Sequence, residues 1–341
     1  MTELPHRQRV NVADIGGSHI TAAVVELVGG PDAAGSASLT ARVLSSVGAD
    51  TDPHGSADEI LGAWTQACLG AVAEADGAAA GAAEAGGETS EAASTVFPGW
   101  AFAMPDPFDF ERGIGTFENV AKFENLSGLD LRAALAERLD APPPAVRFLH
   151  DAAAYGIGEW MFGAAAGHDR AVVITLGTGV GSTFLDHGIP VAHREDVPTN
   201  GTVHLLQIDG APLEDTASTR AILAAYERAA LPSDPGTGAA PVTVKQIAER
   251  ARAGEAAAAQ VLDHALFELG AALAPWLAAF EATVLVVGGS MSRSWDLLEP
   301  PFRDGIEGAR PELAASLTLA ASPLLDDAPL LGAAAWAARR P

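Results

Sequence analysis

The chain has 341 residues, of which 48% are hydrophobic, and it carries a formal net charge of −24 at pH 7. This length and apolar content allow two domains with sizeable cores, whereas the charge argues against binding to nucleic acid or to an anionic membrane surface. The single cysteine, Cys68, excludes an intrachain disulfide and a cysteine-rich zinc site.

The first elements read as a strand, a glycine-rich turn and a second strand. Apolar runs at residues 10–15 and 20–28 flank the turn, which consists of Gly16, Gly17, Ser18 and His19. Backbone N–H groups converge in such turns, so this one predicts a phosphate site. Asp14, at the end of the first strand, admits two roles: holding Mg²⁺, directly or through water, or satisfying a tight hairpin.

A third strand is expected at residues 39–47 and a helix at residues 57–73. Residues 75–94 are almost entirely Ala, Gly, Glu, Ser and Thr. Because this composition buries little apolar area, it predicts a mobile surface insertion. A strand at residues 95–104 then leads into an irregular, proline-rich turn at residues 105–109, a kind of loop that often carries function.

A short helix at residues 129–139 and a strand at residues 146–149 precede His150 and Asp151, and a helix is expected at residues 152–162. From its position alone, Asp151 is equally a helix cap, bonded to exposed N–H groups, and a carboxylate facing a cleft. In the second role it would accept the proton of a substrate hydroxyl.

The second half of the chain opens with the same strand, turn and strand. Apolar runs at residues 171–176 and 182–185 flank a turn composed of Gly177, Thr178, Gly179, Val180 and Gly181. Alone, such a run is often only a glycine-rich hairpin. Two of them, about a domain length apart, suggest two lobes that hold one polyphosphate, which suits a nucleotide. The repeated pattern predicts an α/β fold of duplicated origin.

Mostly helices follow, at residues 215–230, 244–253, 255–280 and 328–339. Gly288, Gly289 and Ser290 come after a buried strand at residues 283–287, where they either let the backbone approach an adenosine or serve packing. Residues 1–10 lack the long apolar core of a signal peptide, and the apolar stretch at residues 271–287 is too short and interrupted to span a bilayer. We therefore expect a cytoplasmic protein.

Six motifs, in order, resemble the ROK family, which groups sugar kinases with related repressors. They are DIGGSH at residues 14–19, HDAAAYGIGE at 150–159, LGTGVGS at 176–182, LEDTAS at 213–218, VVGGS at 286–290 and LLGAA at 330–334. The resemblance implies a ribonuclease-H-like, actin-like ATPase fold with two duplicated lobes and a central cleft. The small lobe would comprise residues 1–150 and 325–341, and the large lobe residues 151–324.

The resemblance also implies an ATP- and Mg²⁺-dependent kinase that phosphorylates a hexose or a close derivative, with Asp151 as the general base. The first turn would face the γ-phosphate, the second turn the inner phosphates, and residues 288–290 the adenosine. The implied sugar contacts are His150, Asp151, Glu214 and His204. Glu214 is otherwise a solvated carboxylate at a helix start, and His204 an ordinary loop histidine.

The chain departs from the family pattern at several positions. Ser18 and His19 stand where the family usually has Thr and Lys, and His150 stands where it has Asn. Gly201 replaces a Glu that contacts sugar in many members, with Asn200 and Glu195 as nearby substitutes. Residues 205–212 take the place of the Cys-rich zinc segment, so no zinc is expected. We therefore expect that these changes alter which sugar the protein selects.

The expected partners are a small-molecule sugar and a nucleotide, with no nucleic acid and no membrane, and similar proteins suggest a homodimer. One alternative is a non-catalytic sugar- or nucleotide-binding ROK protein that regulates through a partner. Repressors of the family carry a helix-turn-helix module before the first phosphate turn, but only 13 residues precede Asp14. A degenerate kinase that binds without turnover is the other alternative.

Overall fold

The computed structural model describes residues 7–31, 37–84, 95–120, 122–230 and 242–339. The chain divides into two compact units: unit 1 comprises Met1–Phe162 and Asp326–Pro341, and unit 2 comprises Gly163–Leu325. This division falls after Phe162, whereas the family resemblance implies a boundary after residue 150.

The strands within the described residues are β1 (Gln8–Ile15), β2 (His19–Pro31), β3 (Ala37–Asp50), β4 (Thr95–Met104), β5 (Phe108–Asp109), β6 (Ile114–Gly115), β7 (Val146–His150), β8 (Arg170–Leu176), β9 (Val180–Asp186), β10 (Ile189–Val191), β11 (Gln207–Ile208), β12 (Ala211–Pro212), β13 (Val284–Gly288) and β14 (Thr318–Ala321). The helices there are α1 (Ala57–Glu84), α2 (Leu131–Arg138), α3 (Asp151–Phe162), α4 (Glu214–Ala217), α5 (Thr219–Ala229), α6 (Val244–Arg252), α7 (Ala256–Ala279), α8 (Trp295–Ala309) and α9 (Ala328–Arg339).

Each unit is built on a five-stranded mixed sheet with the same arrangement. The order is β3-β2-β1-β4-β7 in unit 1 and β10-β9-β8-β13-β14 in unit 2. In both sheets the first three strands in this order are antiparallel neighbours, and the last three run parallel. The predicted duplication is therefore confirmed, as is the strand, turn and strand that opens each half.

The register of the parallel strands in unit 1 aligns their carboxyl ends. Asp14 of β1 pairs with Ala103 of β4, and Met104 of β4 pairs with His150 of β7. In α/β sheets the residues that follow such strand ends are the ones that meet ligands. The loops after β1, β4 and β7 therefore lie together at one edge of this sheet.

Helix α1 is longer than the sequence analysis predicted. Residues 75–84 continue the helix, so the prediction of a mobile insertion is wrong there, and residues 85–94 lie outside the described residues. Alanine has the highest helix propensity, and Ala75 extends the buried face formed by Ala67 and Ala71. Cys68 is also buried in this helix, and burial raises the pKa of its thiol, which leaves it a packing residue.

The helix predicted at residues 215–230 is interrupted by Ser218. This fully buried residue separates α4 from α5, and its hydroxyl accepts a hydrogen bond from the N–H of Ala221 at 3.2 Å. Serine favours this N-cap position because its side chain replaces a hydrogen bond that the helix start lacks. The change of direction places the start of α5 beside the second glycine-rich turn, described below.

Helix α7 is the one described helix that is long and apolar enough to cross a membrane by length and composition. Half of its most apolar window is buried within the chain. Its buried leucines, among them Leu262, Leu266, Leu269 and Leu273, belong to the core of unit 2. Core helices of water-soluble proteins have these same properties.

Two glycines let α3 and α9 pack with their backbones in direct contact. A Cβ atom on Gly332 would overlap the carbonyl oxygen of Ala154, and a Cβ on Gly158 would overlap that of Ala328. No larger side chain fits this approach without moving a helix. This packing places α3 in unit 1 and explains why the division follows Phe162 rather than residue 150.

We predict that Gly332→Ala destabilises the protein by about 1–3 kcal/mol, the usual effect of forcing extra volume into a packed contact. The matched control is Gly62→Ala in α1, where nothing lies within 4 Å of an added Cβ. That change should be neutral or stabilising because alanine is the better helix former. Urea unfolding of both variants provides the measurement, and equal stability of the two would contradict the close approach.

Candidate functional site

The aligned strand ends of unit 1 hold acidic side chains around one histidine. Asp14 lies near the end of β1, Asp106 follows β4, His150 ends β7, and Asp151 begins α3. Asp151 thus has the position between strand and helix that the sequence predicts. The sequence does not single out Asp106, although the proline-rich turn that contains it is a kind of loop that often carries function.

His150 lies between two carboxylates. Its Nε2 atom is 3.2 Å from Oδ2 of Asp106 and 3.3 Å from Oδ1 of Asp151, and the ring of Phe110 meets the imidazole edge-on. Burial alone would lower the pKa of His150. The hydrogen bond with Asp106 and the charges of Asp151 and Asp106 outweigh burial and the opposing charge of Lys122, so the pKa of His150 is raised above its ordinary value.

The two oxygens of the Asp151 carboxylate have different surroundings. Oδ1 accepts a hydrogen bond from the N–H of Ala152 at 2.6 Å and faces His150. Oδ2 has no hydrogen bond to any described residue, and 42% of the side-chain surface is accessible to solvent. The contact with the adjacent Ala152 N–H thus uses Oδ1 and leaves Oδ2 without a hydrogen-bond partner among the described residues.

The pKa of Asp151 is raised above the usual value for an aspartate. Burial by surrounding protein is the main cause, and the charge of His150, the Ala152 N–H and the charge of Lys122 offset part of it. A carboxylate with a raised pKa accepts a proton more readily than an ordinary one. Lys122 and Asp106 are therefore electrostatic neighbours of Asp151 that sequence reasoning did not identify.

Asp14 is half-buried, and its carboxylate accepts no hydrogen bond from a described residue. Burial first, and then repulsion from Asp151 and Asp326, raise its pKa to about 7. Asp326 lies in a short 3₁₀ turn, Leu325–Asp327, just before α9. The sequence does not predict that Asp326 lies near Asp14, because nothing in the local sequence connects the two residues.

A magnesium ion would fit beside Asp14. Within the described residues, no group of three or more His, Cys, Asp or Glu side chains is placed to hold a metal ion. Mg²⁺, however, often uses one carboxylate together with phosphate oxygens and water. An Asp14 carboxylate that is repelled by its neighbours and lacks a hydrogen bond in the described structure suits that arrangement.

In the first glycine-rich turn, some backbone groups are hydrogen-bonded to the protein and others are not. Gly16 N–H donates to the carbonyl of His19, and Thr51 N–H donates to that of Ser18, both at 2.9 Å. The N–H groups of Gly17 and Ser18 make no hydrogen bond to described residues, and both residues are exposed. The turn therefore presents two amides to solvent, as an anion site requires.

The second turn is held by its own backbone, by α5 and by a carboxylate. Gly177 N–H donates to the Gly179 carbonyl at 3.1 Å, and Thr219 N–H donates to the Gly177 carbonyl at 3.0 Å. Val180 N–H donates to Oε1 of Glu214 at 3.2 Å. The amides of Thr178 and Gly179 make no hydrogen bond to described residues, so this turn also presents free donors, while Gly181 continues into β9.

Glu214, the first residue of α4, lies against this turn. A Cβ atom on Gly179 would overlap its Oε1 oxygen, so the contact depends on glycine at that position. The N–H of Glu214 donates to the carbonyl of His204 at 3.4 Å, so the backbones of these two candidate sugar contacts are adjacent. The Glu214 carboxylate thus supports the second turn.

Gly288 ends β13, and Gly289 and Ser290 follow it at the edge of a cavity. Gly289 has a φ of 79°, and a Cβ there would overlap the backbone of Leu176, so packing explains this glycine. Ser290 is exposed and lines a cavity of about 420 Å³. The other polar residues that line it are Thr219, Thr243, Lys245, Glu249, Arg252, Arg293 and Ser294. Its size is within the range of nucleotide and drug pockets.

The loop around Gly201 is fixed by Ser182. The Ser182 hydroxyl donates to the carbonyl of Gly201 at 2.7 Å and accepts from Val203 N–H at 3.0 Å. The proposed substitutes for the missing Glu, Glu195 and Asn200, line a separate surface hollow together with Trp276. That hollow includes neither His204 nor Glu214. Residues 205–212, in place of a zinc segment, contain the short hairpin of β11 and β12.

Comparisons with known proteins place this geometry in context. The glucokinase of Thermotoga maritima is 29% identical over 253 residues, which span 67% of this chain and 76% of that protein. A ROK family glucokinase from Streptomyces griseus, solved with glucose and AMPPNP, superposes with a TM-score of 0.69 at 24% identity, covering 96% of this chain and 98% of that one. A ROK family transcriptional regulator, a homolog of the E. coli MLC protein, reaches the same TM-score at 22% identity, over 97% of this chain and 78% of that one.

The ROK family model matches residues 98–195 and 209–340, which include Asp106, His150, Asp151 and Glu214. The shared architecture extends over both sheets, because the superposed structures cover nearly the whole chain. The chain belongs to the ROK family and has its ribonuclease-H-like, actin-like ATPase fold.

Proposed function

We propose that this ROK protein is a sugar kinase that transfers the γ-phosphoryl group of ATP to a hydroxyl of a hexose or a close derivative. The observation that carries the proposal is the Asp151 carboxyl, with Oδ1 held by Ala152 N–H and Oδ2 free at the aligned strand ends. Glucose is the first candidate substrate, because the similar proteins from Thermotoga maritima and Streptomyces griseus are named glucokinases.

The proposed reaction is a single displacement. The sugar hydroxyl oxygen forms a bond to the γ-phosphorus, the bond from that phosphorus to the β,γ-bridging oxygen breaks, and ADP leaves. Asp151 Oδ2 accepts the hydroxyl proton as the new bond forms. The raised pKa of Asp151 helps here, since a general base is most effective when its pKa approaches the working pH.

The free backbone amides are proposed to bind phosphate oxygens. Gly17 and Ser18 would face the transferred phosphoryl group, and Thr178 and Gly179 the inner phosphates. Such donors stabilise charge that develops during transfer without having to reorganise. The adenosine would occupy the 420 Å³ cavity beside Ser290.

Asp14 is proposed to hold Mg²⁺ together with the phosphates. When bound, the ion neutralises phosphate charge. For this chain the relevant property is the repulsion among Asp14, Asp151 and Asp326, which raises the pKa of Asp14 and which a cation would relieve. Because its pKa is raised, Asp14 also carries less negative charge towards an incoming nucleotide than an ordinary aspartate would at the same pH.

The sugar is proposed to meet His150, Asp151, His204 and Glu214. The hydrogen bond from Glu214 N–H to the His204 carbonyl makes the backbones of these two residues adjacent. A homodimer in the cytoplasm remains the expected setting.

The second candidate function is non-catalytic sugar or nucleotide binding that regulates through a partner. The regulator of the same fold keeps this function open, because its TM-score equals that of the glucokinase. Fold similarity therefore does not separate the two functions, and turnover must be measured.

The first test is to incubate the protein with Mg-ATP and a panel of hexoses, hexosamines and N-acylated sugars, and to measure ADP. We expect sugar-dependent ADP with at least one of them, and Asp151→Asn should lower that turnover by about 10²- to 10⁴-fold, since it removes the general base. The control Asp140→Asn makes the same change at an exposed residue with a φ of 49°, which asparagine also tolerates. No ADP above the sugar-free background would favour the regulatory function.

The adenosine position is tested by Ser290→Trp, which introduces a large ring at a residue that lines the cavity. We expect the KM for ATP to rise by about 10-fold or more, equivalent to losing ~1.4 kcal/mol of binding, with sugar affinity unchanged. Ser316→Trp is the matched control at an exposed residue of unit 2 that does not line the cavity. Calorimetry with ATP and with sugar separates the two affinities, and an unchanged ATP affinity would refute this position.

The raised pKa of Asp14 predicts a pH-dependent stability. In the unfolded chain the pKa of an aspartate is about 3.9. In the folded protein the pKa of Asp14 is about 7. Stability is therefore lost as the pH rises from about 4 to about 7, because the folded state disfavours the charge. Without Mg²⁺ or nucleotide, Asp14→Asn should have a higher Tm than the wild type at pH 8, and the difference should vanish towards pH 4. Parallel Tm curves would contradict it; Asp140→Asn is again the control.

A further inference from the structure

His150 can contact both of its neighbouring carboxylates only through one atom. Nε2 lies 3.2 Å from Oδ2 of Asp106 and 3.3 Å from Oδ1 of Asp151. Ionised carboxylates only accept hydrogen bonds, so Nε2 must carry the hydrogen that bonds either of them. The two acidic residues therefore select the form of the imidazole in which Nε2 is a donor.

The ring of His150 is held from several directions. Met104 of β4 pairs with His150 of β7, which places the turn that contains Asp106 beside the ring. Pro107, the next residue, accepts a hydrogen bond from Thr116 N–H at 3.3 Å, and Phe110 meets the imidazole edge-on. The orientation of Nε2 is thus set by the strand register, the turn and Asp106 together.

Held in this way, His150 determines which oxygen of Asp151 is free. Oδ1 faces His150 Nε2 and the N–H of Ala152, whereas Oδ2 has no hydrogen bond to a described residue. A carboxylate that is held at one oxygen cannot rotate to exchange its two oxygens without breaking both contacts. Orientation of this kind is what a proton acceptor needs in order to meet a substrate hydroxyl.

We propose that Asp106 and His150 are positioning residues that hold Oδ1 of Asp151, so that Oδ2 is the oxygen that accepts the sugar proton. This inference rests on the proposed kinase function and deepens it. It also gives a physical reason for a histidine before the base: with Asp106 as its partner, Nε2 of the imidazole acts through Asp151, in addition to the sugar contact proposed above for His150.

The charges around this group come from different elements of unit 1. Asp106 lies after β4, Lys122 in the loop before α2, and Asp151 at the start of α3, and all three act on His150. Asp14 of β1 is in turn affected by Asp151 and Asp326. Removing the charge of Asp106 therefore weakens the proton affinity of His150 and leaves Lys122 as the cation that stabilises ionised Asp151.

The test is Asp106→Asn, a nearly isosteric change at a side chain that is 53% accessible to solvent. We expect kcat to fall by about 10-fold, the lower end of effects for residues that orient a functional group, with the KM values for sugar and ATP within about two-fold of the wild type. In a plot of kcat against pH, the acidic limb should shift relative to that of the wild type. Asp106→Glu should restore part of the activity, and Asp140→Asn should change nothing.

A double variant separates positioning from a general loss of structure. If Asp106 acts through Asp151, Asp106→Asn should cost no further activity in the Asp151→Asn background. An additional 10-fold loss there, or a rise in either KM, would overturn the inference. A Tm equal to that of the wild type, measured alongside, shows that the fold is intact.

A second measurement does not depend on turnover. The ¹⁵N shifts of the His150 ring, assigned with His150→Gln, should show a protonated Nε2 in the wild type and a lower imidazole pKa in Asp106→Asn. Identical titrations in both proteins would overturn the pairing, whether or not the protein is a kinase. A changed titration in a protein that forms no ADP would reject the proposed function and retain the pairing.

Discussion

The parallel alignment of β1, β4 and β7 is the constraint on which the rest of unit 1 depends. The ladder pairs Asp14 with Ala103 and Met104 with His150, so the residues that follow these strands must meet at one edge. Several of them are acidic, and like charges that share a partly buried place raise one another's pKa. The backbone hydrogen bonds of the sheet hold these groups together against their mutual repulsion.

Burial and that repulsion together bear on the proposed chemistry. A single aspartate in water is a weak base at neutral pH, whereas one that is crowded by protein and other carboxylates holds a proton more strongly. His150 and Lys122 offset part of the effect at Asp151, so the two aspartates experience different surroundings although they lie in one cluster. Under the proposed function, Asp14 would meet a cation and Asp151 a hydroxyl.

Local sequence patterns were sufficient to predict the duplicated fold, both glycine-rich turns and the position of Asp151, because each depends on residues that are neighbours in the chain. Asp106 and Asp326 were missed because they reach the site only through strand register and through the return of the chain to unit 1. The insertion predicted at residues 75–94 was wrong in its first part, where alanines continue a buried helix face. The sugar contacts at His204 and Glu214 stay predictions, since loop conformation is not encoded in any short pattern.

The contact between Gly158 and Gly332 has a consequence for how the protein is made. Helix α3, which begins with Asp151, packs against a helix that the ribosome synthesises only after the whole of unit 2. Until residue 339 has left the exit tunnel, helix α3 lacks its partner and the face that packs on α9 stays uncovered. The nascent chain must therefore keep its first unit unfinished while the inserted unit folds, which makes chaperone binding most valuable during that interval.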